Sequence, residues 1–287
     1  MPDVPLNASA KRWPLLALLT GLYGVGSFGF LAVSPLSPFL LDGFSLTRFQ
    51  VGLLVPAVYV GGLLLSIPAG RVTDRLGPRA CLTGGLSVGG LMLLLGAGAP
   101  SFATFLGCLV VTGIGWSVVN PALGRAILEL FALRERGVAM GIKQMGQTAG
   151  GIIAALVLPT VAEQWGWRVA IGFSAMLVIV VVGLGWHPMA VFRSHESTAS
   201  AVVASADETP WWWVRRAAIL VFFGAGFGLG MSQSAFLSYF PLFATQTLGR
   251  SNVGAGMLLG LAQAGGATAR LALGAVSDKW LRGRRTP

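Results

Sequence analysis

The sequence predicts an all-α, polytopic membrane protein, on three observations. Hydrophobic residues make up 54% of the 287 and charged residues only 10%, with a mean hydropathy of +0.75, which leaves too little polar sequence for a large water-soluble domain. Apolar runs recur along the whole chain at the length of about 20 residues that a hydrocarbon core requires. None of them alternates polar and apolar over the roughly ten residues of a barrel strand, so the spans are read as helices, which satisfy their own backbone groups. The 41 glycines and 15 prolines suit membrane helices that pack through small residues and tolerate kinks.

Cutting at charges and turn residues gives apolar segments near 13–41, 49–69, 80–98, 102–124, 138–160, 168–186, 214–243 and 253–274, hence eight expected helices. The first follows Lys11 and Arg12 like a signal peptide, but its apolar run continues to Leu41, so it is expected to be retained. The second and third flank the charged stretch Gly70 to Arg79, where Gly77 and Pro78 supply a tight turn. With the N-terminus in the cytoplasm, inside segments collect fifteen Lys or Arg and outside segments only Arg48, Arg168 and Arg250. That asymmetry places the protein in the cell membrane and explains the net charge of +10 as a topology signal facing lipid, not as a nucleic-acid footprint.

Residues 187–212 turn polar and lose periodicity, reading as a cytoplasmic linker. It would separate a six-helix unit at 1–186 from two further helices at 213–287. An internal repeat relates the two. Arg48, Val51 and Gly52 recur as Arg250, Val253 and Gly254; Gly61-Gly62 recurs as Gly265-Gly266; and Gly70-x-x-x-Asp74-Arg75 recurs as Gly274-x-x-x-Asp278-Lys279. Both copies run in the same direction, as diverged parallel repeats would.

The loop G-x-x-x-D-[RK]-x-G-x-[RK], here Gly70, Asp74, Arg75, Gly77 and Arg79, resembles the hallmark of the major facilitator superfamily. "RERGVAMGIKQMGQTAGG" entering the fifth span, "GWR" entering the sixth, the long linker and the echo loop after the eighth are similar to that family too. The resemblance implies twelve spans in two six-helix bundles around a midplane cavity, one rocking against the other. A chain ending after an eighth span is then expected to be a fragment or the product of a truncated gene. The resemblance further implies a latch in which Asp74 pairs with the basic end of a neighbouring helix and with helix N-termini across the bundle interface. Arg125 is the chosen basic partner, with Gly274, Asp278 and Lys279 as the second copy. Positive residues holding the loop at the cytoplasmic face explain the arginines equally well, but topology alone gives no reason for the acid.

A charge at membrane depth costs about 2.5–3.5 kcal/mol on insertion scales, so one that survives there tends to face a polar interior. Lys143, roughly 10 Å into the fifth span, is such a charge, and Gln147 shares its helix face. Three readings stay open for Lys143: anchor for an anionic substrate, snorkelling to the surface, or structural pairing. Tyr23 and Ser27 on the first span, Asn120 on the fourth, Gln233 on the seventh and Gln263 on the eighth complete the candidate substrate-binding set, each alternatively a helix-packing hydrogen bond. Arg270, near the end of the eighth span, is expected to snorkel or to serve the latch. Two features expected of drug–proton antiporters are missing: Leu109 holds the place of their fourth-span arginine, and Gly146-Gln147-x-x-Gly150-Gly151 lacks their proline.

No cofactor or metal is expected. Cys81 and Cys108 lie in apolar runs, His187 and His195 in a polar stretch, and no P-loop or H-E-x-x-H occurs. The expectation is therefore not an enzyme but a secondary transporter of a small solute working by alternating access, with an organic anion suggested by Lys143. The alternative is a truncated, non-transporting membrane protein or interaction subunit. No motif specifies an oligomeric state.

Overall fold

The computed structural model describes residues 6–133, 135–191 and 212–280, with the side chains at 6–11, 67, 191, 212–219, 222 and 270–280 outside the description. Most of the expected linker and the side chain of Arg270 therefore lie outside it. All regular structure among the described residues is helical: α1 Leu6–Phe30, α2 Ser37–Gly43, α3 Arg48–Ala97, α4 Phe102–Ser117, α5 Val119–Leu130, α6 Arg136–Trp165, α7 Trp167–Gly185, a 3-10 turn Pro188–Val191, α8 Trp212–Gln246 and α9 Asn252–Trp280. Within them, Arg12–Phe30, Arg48–Ser66, Pro68–Ala97, Phe102–Leu130, Arg136–Trp165 and Trp167–Gly185 are long and apolar enough to cross a membrane. The protein is an all-α, multi-pass membrane protein.

Three expected segments come out differently, each for a local reason. The first does not run to Leu41: residues 31–36 form turns and α2 follows, because Pro35 and Pro38 lack the N–H that a continuous helix needs. The fourth bends at Val118, between α4 and α5, where Pro121 removes the hydrogen bond to the carbonyl of Ser117. The charged stretch between the second and third spans is not an open loop. It is helical apart from Gly77, whose φ of 77° and ψ of 165° interrupt α3. A glycine reverses the chain there at little steric cost.

α3 therefore folds into two arms, and both press on α4. A Cβ on Gly61 would strike the Val110 carbonyl, one on Gly113 the Val58 carbonyl, and one on Gly85 the Gly115 carbonyl. α1 and α6 cross in the same way, since side chains at Gly146 and Gly150 would meet the carbonyls of Thr20 and Gly24. In lipid the apolar effect gives helices little reason to associate, so such backbone approaches supply the packing contacts. A capping box starts α3, with Thr47 N–H donating to Gln50 Oε1 at 2.8 Å and Gln50 N–H to Thr47 Oγ1 at 3.3 Å. The repeat echoes it at α9, where Gly254 N–H donates to Ser251 Oγ at 3.1 Å.

Among the described residues, burial of α8 and α9 against the earlier helices is concentrated at one end. Ser234, Leu237, Ser238, Pro241, Leu242 and Ala244 of α8 are buried, whereas every described residue from Leu220 to Gln233 is exposed. On α9, Ala255, Gly256, Leu259 and Gly260 are buried in the first turns. Gly256 and Gly260 lie against Ala155, Leu156 and Pro159 of α6.

Candidate functional site

The close crossing of α1 and α6 brings polar groups of the two helices within hydrogen-bonding reach. Tyr23 and Ser27, one turn apart on α1, both turn to Gln147: the Tyr23 hydroxyl donates to Oε1 at 3.1 Å and the Ser27 hydroxyl to the backbone carbonyl at 2.8 Å. The Gln144 amide also donates to Gln147 Oε1. One turn back on α6, Lys143 Nζ donates to Asn120 Oδ1 at 2.7 Å and lies 5.3 Å from the centroid of the Tyr23 ring. The Tyr23 ring stacks on Trp116 of α4, and Trp116 on Phe30.

Five residues nominated separately from sequence, Lys143, Gln147, Asn120, Tyr23 and Ser27, thus form one connected network. The bend at Val118 matters here because it sets Asn120, at the start of α5, where Lys143 can reach it. Lys143 is only 6% exposed. It points into the bundle, not along its helix towards the surface. Ion pairs among the described residues join Arg12 to Glu135 and Arg125 to Asp74 and Glu129. The lysine is not among them; its partners, an amide and an aromatic face, are neutral.

Beyond Gln147 lies a cavity of about 760 Å³ between α6, α8 and α9. Its polar lining is Gln144, Gln147 and Thr148 from α6, Ser232 and Gln233 from α8, and Gln263 from α9. Gln263 Nε2 also donates to the Gly151 carbonyl at 3.4 Å. Lys143 and Asn120 stand behind this wall and connect to it through Tyr23 and Gln147. Sequence reasoning missed Gln144, Thr148, Ser232 and Trp116. The recurrence of glutamine at 144 and 147, three residues apart on one helix, was the available signal for the first.

One end of the cavity is shut. Val55, Ala155, Leu237 and Leu259, from α3, α6, α8 and α9, form a buried apolar cluster with Leu31 and Phe240 against it. Beside it the Ser34 hydroxyl donates to the Leu237 carbonyl at 2.5 Å.

At the opposite end, Arg125 Nη1 lies 3.2 Å from Asp74 Oδ1 and donates to the Thr73 carbonyl at 3.0 Å, while its Nε donates to Glu129 at 3.0 Å. This pair joins α3 to α5 within the first set of helices. Arg79 stacks over Trp186, 4.0 Å from the ring centroid, and donates to its carbonyl at 3.0 Å, tying the charged stretch to the end of α7. Arg75 and Gly70 are exposed and half-buried, and a side chain at Gly70 would meet open space. Gly274, Asp278 and Lys279 fall on the backbone of α9, with their side chains outside the described residues.

The sequence profile described as Major Facilitator Superfamily matches residues 16–287. The chain is 25% identical over 256 residues to the probable sulfoacetate transporter of Cupriavidus necator, a match covering 83% of this chain and 58% of that one. It is 27% identical over 244 residues to the 3-(3-hydroxy-phenyl)propionate transporter of Escherichia coli K12, covering 84% and 59%. Among solved structures, a bacterial homologue of the human lysosomal transporter Spinster, inward-facing and unoccupied, superposes with a TM-score of 0.73 at 21% identity, covering 96% of this chain and 64% of that one. The chain spans less than two thirds of the length of each of these proteins.

Proposed function

Because this chain belongs to the major facilitator superfamily, we propose that it serves as a secondary active transporter moving a small organic anion across the cell membrane by alternating access. The observation that carries the proposal is Lys143, a buried ammonium whose partners among the described residues are neutral. A desolvated charge is costly when nothing of opposite sign compensates it. An anionic substrate that reached it would supply the missing partner. The two similar transporters are named for acids, sulfoacetate and a phenylpropionate, which supports the same charge preference.

The division of the chain into a first unit at 1–186 and a second at 213–287 supplies the two bodies that would rock. The cluster of Val55, Ala155, Leu237 and Leu259 is then the outer gate in its closed position, with the cavity reached from the cytoplasmic side. Positive residues concentrated in alternate connections put the N-terminus in the cytoplasm. Asp74 and Arg125 form the latch at that face, and Gly70, Arg75, Gly77 and Arg79 shape the turn that presents Asp74. The test is uptake of a labelled organic acid into vesicles containing the protein. Lys143→Ala abolishes it under the proposal; unchanged uptake and affinity in that variant would refute the anion assignment.

A further inference from the structure

We infer that the anion carried is polyhydroxylated, of the size and type of a sugar acid; the inference rests on the anion reading of Lys143 and extends it to the rest of the substrate. It comes from the wall of the cavity. Six of the described polar side chains line it, the amides of Gln144, Gln147, Gln233 and Gln263 and the hydroxyls of Ser232 and Thr148, and none of the described lining residues is charged. Gln147 Oε1, one N–H each of Gln144 and Gln263, and the Thr148 hydroxyl proton are engaged within the protein, but Gln233, Ser232 and the remaining amide atoms still leave both donors and acceptors on the wall. A carboxylate or sulfonate offers only acceptors and would leave the amide oxygens of Gln144, Gln233 and Gln263 unmatched. An ammonium offers only donors and would leave the amide N–H groups unmatched. An aliphatic or unsubstituted aromatic body would strip water from all six without replacement. A hydroxyl group donates and accepts at once, and a row of them is the substrate chemistry that such a wall satisfies throughout.

The dimensions agree. Gln144 begins the wall, and Gln263 closes it level with Gly151, whose carbonyl it reaches. Seven helical residues separate the two levels, about 10 Å along α6. That is the length of a sugar acid and well beyond that of a two-carbon acid. The charged head would lie towards Lys143 and the Tyr23–Gln147 link, and the hydroxylated body towards Gln233 and Gln263 on the other two helices. Recognition of the body would then draw α8 and α9 onto α6.

Binding to the purified protein in lipid nanodiscs tests this with three kinds of probe: hydroxylated six-carbon acids (gluconate, galactonate, glucuronate and galacturonate), hexanoate, and neutral glucose. At least one hydroxylated acid is expected to bind tenfold or more tighter than hexanoate, because a site built to hydrogen-bond hydroxyls rejects analogues that lack them. The paired substitutions Gln233→Leu and Gln263→Leu should bring that ratio to about one by weakening the hydroxylated acid, with thermal unfolding confirming that the variant is folded. Equal binding of hexanoate and the best hydroxylated acid overturns the inference while leaving the anion reading intact. Glucose binding as tightly as the acids overturns the anion reading and the sugar-acid assignment with it, leaving only a wall that binds hydroxyls, and failure of every acid to bind overturns both outright.

Discussion

Arg125 holds Asp74 at 3.2 Å while its own guanidinium is anchored to the Thr73 carbonyl and to Glu129. The arginine side chain is 16% exposed and the aspartate 73%, so the acid is the more solvated half of the pair. Wet ion pairs of this kind contribute about 0–1 kcal/mol to stability. A role in switching would instead show in rates.

Asp74→Asn is therefore expected to leave the apparent Tm within about 2–4 °C of the parent, since no more than about 1 kcal/mol is at stake, while transport slows by tenfold or more. Initial uptake rates and thermal unfolding, measured on the same preparation, separate the two effects. A full rate with Asn at position 74 would leave topology as the stretch's entire purpose.

Lys143→Met removes a buried charge and keeps the volume of the side chain. Because no described residue of opposite sign compensates that charge, the variant should unfold no more readily than the parent, and its Tm should stay level or rise by about 2–4 °C. Its affinity for the anion should fall roughly tenfold to a hundredfold, since a hydrogen bond to a charged group is worth about 1.5–3 kcal/mol. A lower Tm with unchanged affinity would make Lys143 a structural residue, the third of the roles open to it from sequence.

The α1–α6 crossing should be intolerant of bulk. Gly150→Leu puts a side chain where the Gly24 carbonyl lies, and overpacking of that kind costs about 1–3 kcal/mol. Gly137→Ala, on the same helix with nothing within 4 Å of the added Cβ, should be neutral or slightly stabilising. Folded yield in detergent and apparent Tm compare the two. Equal tolerance at both sites would mean that α1 and α6 do not cross this closely.

The residues of the polar network could be nominated from sequence because each breaks a rule. Lys143 is a charge in an apolar run, and Tyr23, Ser27, Asn120 and Gln147 are polar where lipid would prefer carbon. Their assembly could not be read there, since it depends on the bend at Val118 and on where Gly146 and Gly150 let α1 approach. Those are relations between helices, and hydropathy carries no information about them. The ends of the first and fourth spans were misplaced for a related reason. Cutting a sequence at charges overlooks prolines inside apolar runs, and Pro35, Pro38 and Pro121 interrupt helices without altering hydropathy. Asp74 was legible because an acid contributes nothing to a positive-inside bias and so required a separate explanation.

Gly256 offers the most direct test of alternating access. It sits where α9 meets α6, and a Cβ there would run into the Ala155 carbonyl and Pro159 Cγ. The hydroxyls of Ser37, Ser234 and Ser238, on α2 and α8, are buried with no hydrogen-bond partner among the described residues, so the closed end holds polar groups that water would satisfy if it opened. Those unpartnered hydroxyls weigh against closure of the seam. Gly256→Leu should wedge it apart, and at about 2 kcal/mol of overpacking the balance would move roughly thirtyfold towards the outward-open state. Gln233→Cys on the cavity wall, in a background with Cys81 and Cys108 replaced by serine, reports the shift through labelling by a membrane-impermeant maleimide. With Gly256 intact the label should arrive from the cytoplasmic side; with leucine it should arrive from outside. Loss of Tm without any change in the side of access would show that Gly256 packs two helices and gates nothing.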